Sequence, residues 1–144
     1  MKIALGSDHG GFVLKEEIKG HLLAKGYEVE DFGCYSLDSV DYNEAAISVS
    51  EGVASGLFNR GILVCGTGIG MSIMANKVKG IRAALVHDLF TAKATREHND
   101  TNVLTMGGRV IGGGLALDIV DTWLETEFSN AERHLRRITK INNY

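Results

Sequence analysis

Short apolar runs alternate along the chain with longer stretches of mixed character. Five runs have the length of strands, and they cover residues 3–5, 27–32, 62–65, 81–86 and 102–106. Elsewhere apolar residues recur every three or four positions, the spacing of one helix face, and these stretches cover 12–25, 43–57, 71–77, 89–97, 112–126 and 129–141. This regular alternation predicts an α/β fold: a three-layer α/β/α sandwich with a Rossmann-like five-stranded parallel sheet.

Three of these helices have a well-defined predicted buried face. The apolar residues on those faces are Leu14, Ile18 and Leu22 in the first helix, Ala46, Val49 and Val53 in the second, and Leu115, Ile119 and Trp123 in the helix at 112–126. Gly26 follows the first helix, where a glycine in the left-handed conformation commonly ends a helix.

Composition and charge narrow the class of protein. The chain has 144 residues, 18 glycines, no proline, and no repeat or linker, so we expect a single domain over 1–144 whose turns depend on glycine. A formal net charge of −3 gives no basic excess for nucleic acid or a membrane surface, and we expect neither as a partner. The apolar run Ile3–Leu5 is too short for a signal peptide, which favours a cytoplasmic location, and in a reducing cytosol Cys34 and Cys65 are expected to be free thiols.

Ligands of such sheets bind at the carboxyl ends of the strands. The segments that follow the five predicted strands are 6–11, 33–42, 65–71, 87–88 and 107–112. Chemistry-bearing residues are therefore expected in these segments first.

The segment "CGTGIG" at 65–70 places a cysteine directly before three glycines. Met71 stands where a dinucleotide fingerprint needs its third glycine and where a cysteine-phosphatase loop needs its arginine, and no P-loop lysine follows. Glycines do allow several backbone N–H groups to point into one concavity, which stabilises an anion or a developing oxyanion. The loop alone leaves two interpretations open: an anion-holding loop with a reactive thiol, or a turn in which Cys65 is a small buried hydrophobe.

Two histidine-containing segments are further candidates. Asp8 and His9 follow the first strand, as a proton-handling or sugar-binding pair or as a helix N-cap beside a solvated histidine. His98 and Asn99 precede the fifth strand in a polar loop, where His98 is either a general acid or merely solvated. No histidine pair or acidic cluster has metal-ligand spacing, so no metal is predicted.

The segment "ERHLRR" at 132–137 is basic in an acidic protein. Arg133 and Arg137 are four residues apart and share a helix face, so they could clamp a phosphate or simply be solvated. Because they follow the last strand, they would reach a site at the strand ends most readily in a neighbouring subunit, which implies a dimer with paired sites.

Together these segments resemble the B-type ribose-5-phosphate isomerases, whose family also holds galactose-6-phosphate and allose-6-phosphate isomerases. The resemblance covers essentially the whole chain. It rests on "SDHGG" at 7–11, "DY" at 41–42, "CGTGIG" at 65–70, "NKVKGIRAAL" at 76–85, "REHNDTNVL" at 96–104, "GGRVIG" at 107–112 and "RHLRR" at 133–137. Asn43 stands where many relatives have proline.

The resemblance implies a role for each candidate residue. Cys65 would be the base that moves a proton between C1 and C2 of the sugar phosphate, and His98, helped by Asp8, would open the furanose ring. The enediolate would be held by the Thr67 side chain and by the loop N–H groups of Gly66, Thr67, Gly68, Ile69 and Gly70. The remaining matched residues would bind the sugar hydroxyls (Asn99) or the substrate and its phosphate (His9, Arg109, Arg133 and Arg137).

The resemblance also implies how the molecule works as a whole. It predicts a homodimer or dimer of dimers with composite sites, in which the C-terminal segment 129–144 reaches the partner subunit, and it requires no cofactor and no metal. The expected reaction is the interconversion of D-ribose 5-phosphate and D-ribulose 5-phosphate, a step of the pentose phosphate pathway. The alternatives are an isomerase of six-carbon aldose phosphates, or a non-catalytic module that binds phosphosugars.

Overall fold

The protein contains one five-stranded parallel sheet. A computed structural model describes all 144 residues. The strands are β1 (Lys2–Ser7), β2 (Glu28–Asp31), β3 (Arg60–Cys65), β4 (Ala83–Leu85) and β5 (Val103–Gly107), and they lie in the order β2-β1-β3-β5-β4. Every neighbouring pair is parallel. The predicted fold class is therefore confirmed, and the sequence-distant β5 lies between β3 and β4.

Six helices connect and cover the strands. They are α1 (Phe12–Ala24), α2 (Tyr42–Ala54), α3 (Ile69–Ala75), α4 (Leu89–Asn99), α5 (Gly113–Glu125) and α6 (Glu132–Asn142). None of them combines the length and the apolar character that crossing a bilayer would require.

Two apolar clusters, one on each face of the sheet, form the core. Alternate residues of a strand point to opposite faces, so Ile3 and Leu5 of β1 join the cluster with α1 and α5, whereas Ala4 joins the cluster with α2 and α3. The central strands β1, β3 and β5 are buried almost throughout, as expected for a sheet that helices cover on both faces.

Most of the predicted helix faces are buried as expected. The predicted residues of α1 and α2 are all buried, and Gly26 has the left-handed φ of +86°. The prediction for Leu115 is wrong, because this side chain is 39% exposed. The buried face of α5 is centred on Ala116, Ile119, Val120, Trp123 and Leu124. Leu115 lies about 100° around the helix from Ala116 and therefore falls on the rim of that face.

The predicted element boundaries agree with the observed ones to within three residues, but one difference matters for function. Helix α4 runs to Asn99, so His98 and Asn99 lie on its last turn and the expectation of a loop there is wrong. Asp100 ends the helix in the left-handed conformation, with φ of 45°. The extension places both side chains on a rigid element instead of a flexible one.

Candidate active site

Cys65 is the last residue of β3 and lies at the entrance of the glycine loop, which we define as residues 65–70. It is 5% exposed, and its Sγ accepts a hydrogen bond from the Gly68 N–H at 3.0 Å. Negative charge that develops on this sulfur during a proton transfer therefore meets an amide donor. Both cysteines of the chain are free thiols, as predicted.

The glycine loop is closely packed on its neighbours. A Cβ at Gly68, whose φ is +77°, would lie 2.7 Å from the carbonyl carbon of Met106, and one at Gly70 would lie 2.7 Å from the ring of Tyr42. Only glycine fits at Gly68, and a side chain at Gly70 would displace the Tyr42 ring. Tyr42 thus covers the loop, a role that the sequence did not assign to it although "DY" marks it at the start of α2.

Not every N–H group of the loop is available to a ligand. The Gly68 N–H is directed at Cys65, and the Ile69 N–H donates to Thr67 Oγ1 at 3.3 Å. The N–H groups of Gly66, Thr67 and Gly70 are not used in the loop's own hydrogen bonds. Because Thr67 Oγ1 accepts from Ile69, its hydroxyl hydrogen remains free to donate outward.

Asp8 and His9 lie beside this loop. The buried Asp8 accepts the Gly11 N–H at 3.1 Å through Oδ1, and its own N–H donates to the carbonyl of Val64, the neighbour of Cys65. Gly11, not Asp8, is the N-cap of α1, so the Asp8 carboxylate bonds the turn that leads into the helix. His9 accepts the Val40 N–H at Nδ1 over 3.2 Å, so its Nε2 carries the hydrogen and can donate to a ligand.

Arg109 and His87 complete this edge of the sheet. The Arg109 N–H donates to the Gly66 carbonyl at 3.0 Å, which brings the exposed arginine beside the loop. His87, for which the sequence suggested no role, accepts the Gly107 N–H at Nε2 over 2.9 Å. Burial lowers the pKa of His87, and the negative charge of Asp88 raises it by less. The imidazole therefore stays uncharged at neutral pH, and its Nε2 can accept this hydrogen bond.

The other predicted site residues lie at the opposite edge of the sheet. Helix α4 starts at the carboxyl end of β4 and returns to the amino end of β5, so His98 and Asn99 lie where β5 begins. β5 alone spans about 13 Å between the two edges, at about 3.3 Å per residue. One copy of the chain therefore does not bring His98 near Cys65 or Asp8.

The two arginines of α6 belong to this second group. Arg133 and Arg137 are exposed, whereas His134 and Ile138 form the buried face of the helix. His134 packs against His98, with 4.6 Å between the ring centroids. None of the ion pairs of the protein involves either arginine, so both remain available to an anion.

The structure thus divides the predicted site into two half-sites. The thiol half-site contains Asp8, His9, Arg109 and the glycine loop from Cys65 to Gly70, and the imidazole half-site contains His98, Asn99, Arg133 and Arg137. No three His, Cys, Asp or Glu side chains converge as a metal ion would require.

Comparison with known proteins identifies the family. The ribose/galactose isomerase family model matches residues 3–141. Ribose-5-phosphate isomerase B of Escherichia coli is 49% identical over 97% of this chain and 93% of its own length. A galactose-6-phosphate isomerase subunit of Clostridium acetobutylicum is 40% identical over 98% of this chain and 82% of its own length. The structure of ribose-5-phosphate isomerase B from Clostridium thermocellum superposes with a TM-score of 0.97 at 55% identity, covering 99% of this chain and 96% of that one.

These matches extend over nearly the whole chain, and the TM-score of 0.97 agrees with the fold described above. The alternative of a non-catalytic phosphosugar-binding module is not supported, because these relatives are isomerases. The chain belongs to the ribose/galactose isomerase family and is a sugar-phosphate isomerase of the aldose–ketose type.

Proposed function

We propose that this protein interconverts D-ribose 5-phosphate and D-ribulose 5-phosphate. The observation that carries the proposal is the Cys65 thiol, held at the entrance of the glycine loop with the Gly68 N–H 3.0 Å from its sulfur. Aldose–ketose isomerisation removes a weakly acidic proton next to a carbonyl, so it needs a base, an acid, and donors where negative charge develops. The thiol half-site offers the base and the donors. We also infer a cytoplasmic location and a place in the pentose phosphate pathway, in which both sugars occur.

In the isomerisation step, the Cys65 thiolate takes the proton from C2 of the open-chain aldose. The C–H electrons form a C1–C2 double bond, and the carbonyl electrons move to O1, giving an enediolate. The free N–H groups of Gly66, Thr67 and Gly70 and the Thr67 hydroxyl are the donors for that charge. Cys65 then returns the proton to C1 while O2 becomes the ketone oxygen and its proton passes to O1.

Ribose 5-phosphate is cyclic in water, so its ring must open first. The His98 imidazole gives a proton to the ring oxygen O4, which receives the electron pair of the breaking C1–O4 bond. The electrons of the O1–H bond form the C1 carbonyl, and Asp8 takes the O1 proton. The phosphate would be held by Arg133 and Arg137, with His9 and Arg109 beside it and Asn99 on the sugar hydroxyls.

These steps require two copies of the chain, because the two half-sites lie at opposite edges of one sheet. In a symmetric dimer the imidazole half-site of one subunit completes the thiol half-site of its partner, with the C-terminal segment 129–144 reaching across. Exposed apolar side chains at the end of β4 and on the adjacent helices offer a surface for this contact: Ile69, Ile73, Leu85, Leu89 and Phe90. We therefore propose a homodimer, or a dimer of dimers, with composite sites.

A six-carbon aldose phosphate is the second candidate substrate. The observation that favours it is the 40% identity to a galactose-6-phosphate isomerase subunit. The same base, donors and arginines would serve either substrate, although a six-carbon sugar places the phosphate one carbon further from C1.

The test is turnover of ribose 5-phosphate, allose 6-phosphate and galactose 6-phosphate, side by side, by the wild-type protein and by Cys65→Ala. We expect ribose 5-phosphate to react fastest and the Cys65→Ala variant to lose about 100-fold or more in rate, as removal of a general base does. Cys34→Ala is the matched control, because Cys34 lies in the loop after β2 and its thiol contacts only Ser7 and Ser36. Near-normal turnover by a folded Cys65→Ala variant would contradict the base assignment, and faster turnover of a six-carbon sugar would contradict the substrate.

A further inference from the structure

His134 lies beneath His98, where helices α4 and α6 meet. We propose that His134 is a positioning residue for ring opening: its buried imidazole holds the His98 ring in the plane from which a proton reaches the sugar. This inference rests on the proposed function, in which His98 is the acid that opens the ring.

The two rings are in contact, and they differ in their exposure to solvent. His98 is exposed on the last turn of α4, whereas His134, on the first turn of α6, is only 6% exposed. Their centroids are 4.6 Å apart and their planes are tilted by 40°. The buried His134 ring therefore packs against the inner face of the exposed His98 ring. A contact of this kind limits the orientations of the His98 side chain.

His134 itself is held in place from α4. Its Nδ1 lies 2.7 Å from the Ser129 hydroxyl, which also accepts the Ala131 N–H at 3.2 Å. The Ser129 N–H donates to the carbonyl of Glu97 at 3.2 Å. Because Glu97 directly precedes His98, the segment that fixes His134 is anchored to the same turn of helix that carries His98.

His134 serves as a neutral support and not as a second acid. Burial lowers the pKa of His134, and nearby cationic groups, Arg133 first, lower it further. The ring is therefore uncharged at neutral pH and adds no charge beside His98.

The orientation of His98 matters because an imidazole donates its proton in the plane of its ring. A ring that rotates freely would spend little time aligned with O4, and such misalignment slows proton transfer. The later transfer from C2 to C1 uses Cys65 and not His98. Loss of the His134 ring should therefore slow ring opening and leave the enediolate chemistry unchanged.

Two measurements on the full-length protein separate these steps. Conversion of ribose 5-phosphate requires ring opening, whereas deuterium uptake from heavy water at C1 of ribulose 5-phosphate does not. The 5-hydroxyl of that ketose carries the phosphate, so the sugar cannot close a furanose ring. For His134→Ala we expect conversion to fall about 10- to 100-fold, with the initial rate of deuterium uptake changed less than twofold.

A conservative substitution and two other variants sharpen the test. His134→Phe keeps a flat ring and should restore most of the conversion that His134→Ala loses, and Ser129→Ala, which removes the hydroxyl but keeps the ring, should show the same pattern more weakly. His21→Ala is the matched control, since His21 also hydrogen-bonds a neighbouring helix, through Asp121 at 2.8 Å, but lies away from His98. It should change neither rate.

The inference is wrong if His134→Ala slows both reactions equally, if it slows neither, or if His134→Phe is no better than His134→Ala. His98→Asn tests the underlying proposal separately. If His98→Asn leaves conversion unchanged, or slows deuterium uptake as much as conversion, His98 is not the ring-opening acid. A wild-type protein that does not convert ribose 5-phosphate contradicts the proposed substrate whatever the variants do.

Discussion

At the scale of single residues, the buried ammonium group of Lys15 stabilises the loop that follows β2. Its Nζ donates to both carboxylate oxygens of Asp31, at 2.9 and 2.8 Å, and to the carbonyl of Cys34 in the loop after β2. That loop continues to Val40, whose N–H holds His9 in one tautomer. An ion pair beneath the loop thus supports the contact that orients His9, which we propose binds the substrate.

Asp31→Asn tests this ion pair through its pH dependence. Burial by itself would raise the pKa of Asp31, but hydrogen bonds from Lys15, the Gly33 N–H and Lys19 outweigh it and lower the pKa below the ordinary value. The carboxylate therefore stabilises the fold above the unfolded-state pKa, about 3.9, and the contribution is lost as the pH falls through the folded-state pKa. We expect Asp31→Asn to lower the free energy of unfolding at pH 7 by about 3 kcal/mol, because the buried Lys15 loses its buried carboxylate and keeps only the more exposed Glu16, at 3.2 Å, as an ionic partner.

The measurement is urea unfolding of both proteins from pH 7 down to pH 3. The difference between them should shrink below about pH 4 as the wild-type carboxylate becomes protonated. Asp38→Asn in the same loop is the control, because Asp38 is exposed and makes no ion pair. A difference that stays constant down to pH 3 would show that charge on Asp31 is not what stabilises the protein.

At the scale of elements, the connection from β3 through the glycine loop to α3 depends on backbone shape. Gly68 combines a φ of +77° with a position where a Cβ would lie 2.7 Å from the carbonyl carbon of Met106. The neighbour is backbone and cannot rotate away. The same glycine directs its N–H at Cys65, so the shape of the loop and its chemistry depend on one residue.

Gly68→Ala should therefore damage both stability and activity. We expect it to lower the free energy of unfolding by more than about 1 kcal/mol, because alanine at a position with positive φ destabilises by more than it stabilises at a compatible one. Turnover should fall at least about tenfold as the N–H shifts away from the sulfur.

Gly20→Ala in the middle of α1 is the matched control, because a Cβ there meets nothing within 4 Å. It should raise stability by about 0.5–1 kcal/mol and leave turnover unchanged. Thermal melts and steady-state assays measure both, and equal behaviour of the two variants would contradict the strain at Gly68.

The last turn of helix α4 could not be predicted from the local sequence. Residues 96–100 are all polar, so nothing in the pattern continues the helix past 97. In the structure Arg96 is 2% exposed, and its guanidinium binds Asp100 at 2.8 Å and the backbone carbonyls of Thr101 and Thr126. These partners stabilise a final turn that the local sequence does not indicate, and that turn carries His98.

At the scale of the whole molecule, the composite site that we propose would make activity a property of a pair of chains. A dimer of two Cys65→Ala chains lacks a base at both sites, and a dimer of two His98→Asn chains lacks the ring-opening acid at both. A mixed dimer contains one site in which both residues are intact, if each site takes its thiol half from one chain and its imidazole half from the other.

Co-expression of these two variants should therefore restore activity. Random pairing makes half of the dimers mixed, each with one working site of two, so we expect about a quarter of wild-type turnover. The control is co-expression of Cys65→Ala with Asp8→Asn, which alters the same half-site and should restore nothing. A Cys65→Ala and His98→Asn mixture no more active than either variant alone would contradict the composite site.

The sequence by itself determined the class of fold and marked the candidate reacting groups. The spacing of apolar residues is a property of short stretches of sequence, so it predicts the five strands, the helices and most of their buried faces. The cysteine beside the glycines is also visible in a short stretch of sequence. Only the tertiary structure decided that β5 lies between β3 and β4, that α4 continues through His98 and Asn99, and that the two half-sites lie at opposite edges. The same holds for the support of His98 by His134 and for the packing of Tyr42 over Gly70. These features arise from contacts between residues far apart in the chain, and a periodicity measured along the chain carries no information about such contacts.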